Sequence, residues 1–224
     1  MAYSLTDIQT NISFELDGNA SISSTSTDWG LRLSPINRAL FDWSESYDWK
    51  QLTKIHNGVV STSTANASYA LPSDFRRMLG FPKISYDGTT TFDFPINNPE
   101  QNYHLNLKSD RFVNVLGNDN DGNTMVINSP TLASGASVQF VYHAFPVSLA
   151  STGQRTECPD PTFIVQRALY YLYKSREDAR FPEAKQESDK ILARMIENEN
   201  TLGVGYVDRR VSISPMNGFR LGRD

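Results

Sequence analysis

The chain has almost no sulfur chemistry. Cys158 is the one cysteine among 224 residues, which excludes an intramolecular disulfide and any thiolate metal cluster. Histidine is scarce too. His56, His104 and His143 stand far apart, in none of the spacings that aim two imidazoles at one metal. No apolar run approaches the ~18 to 20 residues a membrane span requires. Glycine never gathers into a P-loop or a G-x-G-x-x-G turn, and Gly203-x-Gly205 lacks both the third glycine and a following helix. No G-x-S-x-G elbow presents a nucleophile, so a Ser-His-Asp site would have to be assembled from dispersed residues. A basic surplus is missing as well. The formal charge is −4 and the pI near 5.4, the wrong sign for a protein that grips nucleic acid by its phosphates. Met1 to Asn11 shows neither the charged start nor the apolar core of a secretory signal, which points to cytosolic synthesis. These absences argue against a metal, a cofactor and a membrane span.

One stretch imitates a metal site. With Gly122 aligned on the glycine of a calcium loop, Gly117 falls at the first ligand position and Asn128 where the bidentate Glu belongs. A solvated turn is the better reading of 117–123, since Asn, Asp and Gly dominate turns.

What the chain does have is helix. Asp160-Pro161 reads as an N-cap followed by a residue with φ already set. Behind it Ile164, Ala168 and Tyr171 form one apolar row, and Val165, Leu169 and Leu172 form the next. Arg180-Phe181-Pro182 interrupts the run. A second amphipathic stretch follows from Glu183 to Asn200, with Ala184, Ile191, Leu192, Met195 and Ile196 on one face. Ser34-Pro35 repeats the cap signature ahead of Ile36, Ala39, Leu40, Trp43 and Tyr47, so a helix is expected from there to about Trp49. The first segment allows two readings. Leu5, Ile8, Ile12 and Leu16 keep helical spacing before Gly18, whereas Ile12, Phe14 and Leu16 also alternate ahead of a hairpin-like Asp17-Gly18. Helix is preferred. Ala20 to Thr27 reads as a serine/threonine-rich linker.

Between these ends, residues 55–149 turn β-like. Strands are expected at Val59–Thr64, Ala67–Leu71, Phe112–Leu116, Thr124–Asn128 and Ser137–Phe145, with a helical turn at Phe75–Leu79. Short strands at such intervals suggest a small antiparallel barrel or sandwich. The expected class is therefore α+β: a helical bundle made by both ends of the chain (1–54 and 155–203), with a β-rich insertion at 55–154. Residues 204–224 form an extended C-terminal arm. From Thr201 onward the sequence keeps no period and carries a net charge of +2, leaving −6 on the rest. Such an arm orders against a partner or stays mobile.

The aromatic set Trp43, Tyr47, Trp49, Tyr170, Tyr171 and Tyr173 fits a core or a subunit interface better than a sugar or base platform, because most of it keeps helical spacing. Arg209, Arg210, Arg220 and Arg223, interleaved with Tyr206 and Phe219, suit a protein contact better than DNA.

Three stretches resemble the head-to-tail adaptor (connector or neck) proteins of tailed bacteriophages, including the tail tubular protein A group. They are Ile36-Asn37-Arg38-Ala39-Leu40 running on to Trp43 and Trp49; Tyr69-Ala70-Leu71-Pro72-Ser73-Asp74-Phe75; and the Tyr-rich helix with its Arg180-Phe181-Pro182-Glu183 break. The resemblance implies a structural, non-enzymatic virion protein assembled in the host cytoplasm. Its members form a ring, usually of twelve subunits, between portal and tail, with double-stranded DNA passing through without sequence-specific binding. The ring meets the portal on one side and a tail, nozzle or tail-terminator protein on the other. It further implies that the arm (Tyr206, Arg209, Arg210, Phe219, Arg220, Arg223) binds the portal, while Trp43, Tyr47, Tyr170, Tyr171 and Tyr173 meet neighbouring subunits. A β-rich receptor- or glycan-binding virion module is the alternative.

Overall fold

The computed structural model describes residues 3–18, 22–61, 66–85, 89–97, 111–116, 123–130 and 132–202. The expected arm with its six named residues, His104 and most of the 117–123 turn lie outside them. The described residues form an α+β fold with four helices and two antiparallel sheets.

Helix α1 (Leu5–Asp17) starts on a reciprocal cap. The Ser4 hydroxyl accepts the Asp7 N–H at 3.2 Å, and the Asp7 carboxylate accepts the Ser4 N–H at 2.8 Å. Gly18 ends it in the left-handed region at φ 64°, donating to the Phe14 carbonyl. Leu5, Ile8 and Ile12 are wholly buried while Phe14 is 59% exposed, so the helical period wins over the alternating one.

Helix α2 (Thr27–Ser46) corrects the expected start at Ser34-Pro35. Ser26 is the cap, accepting the Trp29 N–H at 3.2 Å, and Pro35 sits inside the helix. Trp29, Arg32, Ile36, Ala39, Leu40 and Trp43 form one buried face that runs through the proline. That burial outweighs the single backbone bond the proline removes. The end also differs. α2 stops at Ser46, and Trp49 folds back so that its indole N–H donates to the Trp43 carbonyl at 2.6 Å and its ring stacks on Trp43.

Helix α3 (Pro161–Ser175) begins where expected, with Asp160 accepting the Thr162 N–H. The chain turns at Asp178 and enters helix α4 (Phe181–Leu202), with Pro182 tolerated in its first turn. All four helices share one hydrophobic core, to which Trp49, Leu52, Leu149 and Cys158 also belong.

Among the described residues seven strands follow α2: β1 (Thr53–Val59), β2 (Asn66–Ala70), β3 (Phe75–Ile84), β4 (Phe92–Asp93), β5 (Phe112–Leu116), β6 (Thr124–Asn128) and β7 (Ser137–Ala144). β5 and β6 match their expected bounds, and β2 and β7 nearly so. β1 lies N-terminal of the expected Val59–Thr64. It is an edge strand of polar and apolar residues with no fully buried position, so hydrophobicity did not mark it. The helical turn expected at Phe75–Leu79 is instead the start of β3. Pro72 and Asp74 make a turn, closed by the Phe75 N–H on the Pro72 carbonyl, and Phe75 then pairs with Ala144.

The strands form no closed barrel. They make a four-stranded sheet, β1-β7-β3-β4, and a three-stranded sheet, β2-β6-β5, which share a second core around Phe75, Phe94, Met125, Ile127 and Phe140. Gly58 lets the sheets approach: a Cβ there would strike the Tyr69 hydroxyl, which bonds His56 at 2.7 Å.

The motif Leu71-Pro72-Ser73-Asp74-Phe75 joins the two halves. Asp74 accepts from Lys54 Nζ (2.8 Å) and the Tyr142 hydroxyl (2.9 Å), and Lys54 also faces Glu157. Burial alone would raise the Asp74 pKa, yet these two donors hold it below the usual carboxylate range. Burial and then the Asp74 hydrogen bond push Tyr142 up to about 12. Next along the chain, Arg76 donates to the Ser44 carbonyl and to Glu45 at the end of α2, and Arg77 pairs with Asp48.

His143 lies under this junction, 1% exposed, with no well-formed hydrogen bond to either ring nitrogen. Burial holds its pKa below 6.5; Asp48 opposes the shift, and Arg77 and Arg76 add to it. The unfolded chain therefore takes up the proton first as pH falls. Stability contributed by neutral His143 is complete above about pH 7 and declines as pH drops through 6.5 towards the folded value. Thermal melts between about pH 7.5 and 5.5, where carboxylates do not titrate, should show a falling Tm. His143→Leu should flatten that slope, and an equal slope in both proteins would contradict the assignment.

Candidate interaction surfaces

Helix α3 is buried on the side carrying Ile164, Val165, Ala168, Leu169 and Leu172. Its other side carries Arg167, Tyr170, Tyr171 and Lys174, and each is held by a neighbour. Arg167, its side chain 13% exposed, reaches Asp42 of α2 at 3.4 Å and Asp189 of α4 at 3.1 Å. One guanidinium thus spans three helices. The Tyr171 hydroxyl donates to the same Asp42. Burial first, and then Asp42, raise the Tyr171 pKa, so the phenol stays a neutral donor.

Above this network lies an open groove of about 520 Å³ between α2 and α3, lined by Ser34, Pro35, Arg38, Tyr170, Tyr171 and Lys174 among others. The Arg38 guanidinium sits 4.2 Å from the Tyr171 ring centre, and Lys174 Nζ lies 5.7 Å from that of Tyr170. The two tyrosine rings are 5.0 Å apart, and Phe181 flanks Tyr170. The groove carries two cations and no carboxylate in its lining. Aromatic faces beside cations suit a partner that is both anionic and apolar.

The aromatic residues expected at an interface divide in two. Trp43 is 0% exposed and Tyr173 5%. Both are taken up by the core of their own chain and have little surface left for a neighbour. Helical spacing alone does not tell a core row from a surface row. Tyr47, Tyr170 and Tyr171 are half-buried. Tyr47 closes on Asn200 of α4 at 2.6 Å, while Tyr170 and Tyr171 floor the groove. The sequence reading missed Arg38 and Lys174 as surface features, and exposed Phe14, Leu31 and Phe41. The signal for part of this was available, because Leu31, Ser34, Arg38 and Phe41 recur on the solvent face of α2.

Nothing described here is arranged for catalysis. Cys158 is 1% exposed, and burial pushes its thiol far above the usual range, away from thiolate chemistry. Among the described residues no three His, Cys, Asp or Glu side chains converge on a possible metal position, and no helix is long and apolar enough to cross a membrane. Outward from the four-stranded sheet, Ile55, Val141 and Leu79 form a cross-strand row, with Ile55 67% exposed.

A family model, the SU10 adaptor protein, matches residues 3–214, thus both helical ends and both sheets. The chain belongs to the SU10 adaptor protein family. It is a structural phage adaptor and not an enzyme, a virion component that interacts with other head and tail parts. No curated protein matches it.

The network and the groove above it should respond differently to mutation. Arg167→Met leaves Asp42 and Asp189 without their shared cation and should destabilise the fold by about 1–3 kcal/mol in denaturant unfolding. Arg38→Ala, on the surface, should cost no more than about 1 kcal/mol. Equal losses would show that the groove rim is part of the fold and not free for a partner.

Proposed function

We propose that this SU10 adaptor forms a closed ring in the virion neck, between portal and tail, through which DNA passes. The family match across residues 3–214 carries this reading. The two hydrophobic cores support a division into a helical body, from 1–54 and 155–203, and a β-rich domain at 55–154. Neighbouring subunits meet through the helical body, with Tyr170 and Tyr171 in the contact and Tyr47 beside it. The reading has physical support. A groove floored by two half-buried tyrosines beside two cations that have no carboxylate partner among the described residues is what an interface anchor needs.

The charge distribution fits the same role. Residues 1–202 carry −6 and residues 203–224 carry +2. An acidic body repels passing phosphates, so DNA slides past without adhering. The arm, with Arg209, Arg210, Arg220 and Arg223 interleaved with Tyr206 and Phe219, docks on the portal. Arginine and aromatic side chains serve such a contact well. The opposite side of the ring meets the tail, nozzle or tail-terminator protein.

Mixing the purified full-length chain with its portal should give ring-on-ring particles by negative-stain microscopy. A chain ending at Leu202 should keep its helical fold and lose portal binding. Undiminished binding by the shortened chain would overturn the role of the arm.

A further inference from the structure

The cationic groove has a counterpart elsewhere on the same chain. On the α1–α4 side, Glu15, Glu183 and Glu187 line a second depression of about 350 Å³. The cations in its lining are already engaged: Arg180 is clasped by Asp178 at 2.7 Å and Lys190 by Glu187 at 3.5 Å. Glu15 and Glu183 form no ion pair among the described residues. Beside Glu15, Phe14 stands 59% exposed. This side therefore offers an apolar knob among free carboxylates. The groove between α2 and α3 offers two tyrosine faces between Arg38 and Lys174, neither of which has a carboxylate partner among the described residues.

We infer that these two surfaces are the halves of one head-to-tail contact, the groove of one copy receiving the Phe14–Glu15–Glu183 side of a second copy of this chain. The inference rests on the ring reading above and specifies its interface. The two surfaces are different patches of the chain, one on α2 and α3 and the other on α1 and α4 with α3 residues also in its lining, so the contact is heterologous and repeats around a ring instead of stopping at a dimer. Opposite charge sets orientation and excludes the wrong pairing: groove on groove juxtaposes cations, and knob on knob juxtaposes carboxylates. A second copy also fits better than a nucleic acid. The groove's lining carries two cations on a body of net charge −6, too few to hold a phosphate backbone against that field.

Charge exchange tests this directly. One full-length variant carries Arg38→Glu and Lys174→Glu, the other Glu15→Lys and Glu183→Lys. Circular dichroism melts first establish that both fold as the wild type does. By sedimentation velocity, each variant alone should assemble about tenfold more weakly, or worse. An equimolar mixture should recover particles of wild-type size, because each variant then meets its complement. Raising the salt concentration should weaken wild-type assembly. If either variant alone assembles as the wild type does, or if both fail and the mixture fails too, the inference is overturned while the ring reading stands. If the wild-type chain remains monomeric at every concentration, the ring reading falls, and this interface with it.

Discussion

Helix α3 must bury itself against three helices at once, and that demand organises the fold. Its apolar rows pack on α1, α2 and α4 within one core. Only the side bearing Arg167, Tyr170, Tyr171 and Lys174 is left for polar groups. Even there Arg167 is drawn in to balance Asp42 and Asp189. A guanidinium so enclosed is tolerable only with its charge matched, as the two carboxylates match it. The network therefore fixes how α2 and α4 sit on α3, and so shapes the groove between α2 and α3. The surface chemistry is inherited from the packing beneath it.

The second dependence is the junction between the two cores. Asp74 gathers Lys54 of β1 and Tyr142 of β7, while Arg76 and Arg77 of β3 reach back to the end of α2. Phe41 and Phe145 stack across the same seam, with Arg76 over the Phe145 ring. The return segment is clipped to α2 by a reciprocal pair between the Asn37 amide and the Leu149 main chain. Hydrogen bonds and ion pairs carry this seam because the apolar residues are already committed to the two cores. Such a seam sets geometry more than it adds stability, since part-exposed ion pairs contribute little net energy.

Much of this was legible in the sequence where local chemistry and burial agree. Asp160-Pro161 marked the start of α3, and β5 and β6 were expected at the bounds they take. Elsewhere tertiary contacts overruled local signals. Pro35 looked like a helix start, but Trp29 and Arg32 extend the buried face of α2 upstream of it. Phe75 to Leu79 looked like a helical turn, but Phe75 is wanted in the β core opposite Ala144. β1 carried no strong pattern, since an edge strand owes its place to the partner it pairs with. At the candidate surface, Tyr170 and Tyr171 were legible as an aromatic pair. Their separation from Trp43 and Tyr173 was not, because core and surface rows share the same helical spacing. Arg38 became informative only when α2 and α3 were seen to bring it over the Tyr171 ring.

Family, fold and groove together support the proposal that the chain meets its own copy. The most direct measurement is the native mass of the purified full-length chain at micromolar concentration and low salt. A discrete particle whose mass is one fixed multiple of the chain mass, unchanged on dilution through several-fold, is the predicted result. A monomer throughout, or an open-ended ladder of sizes with no closed species, would contradict the account.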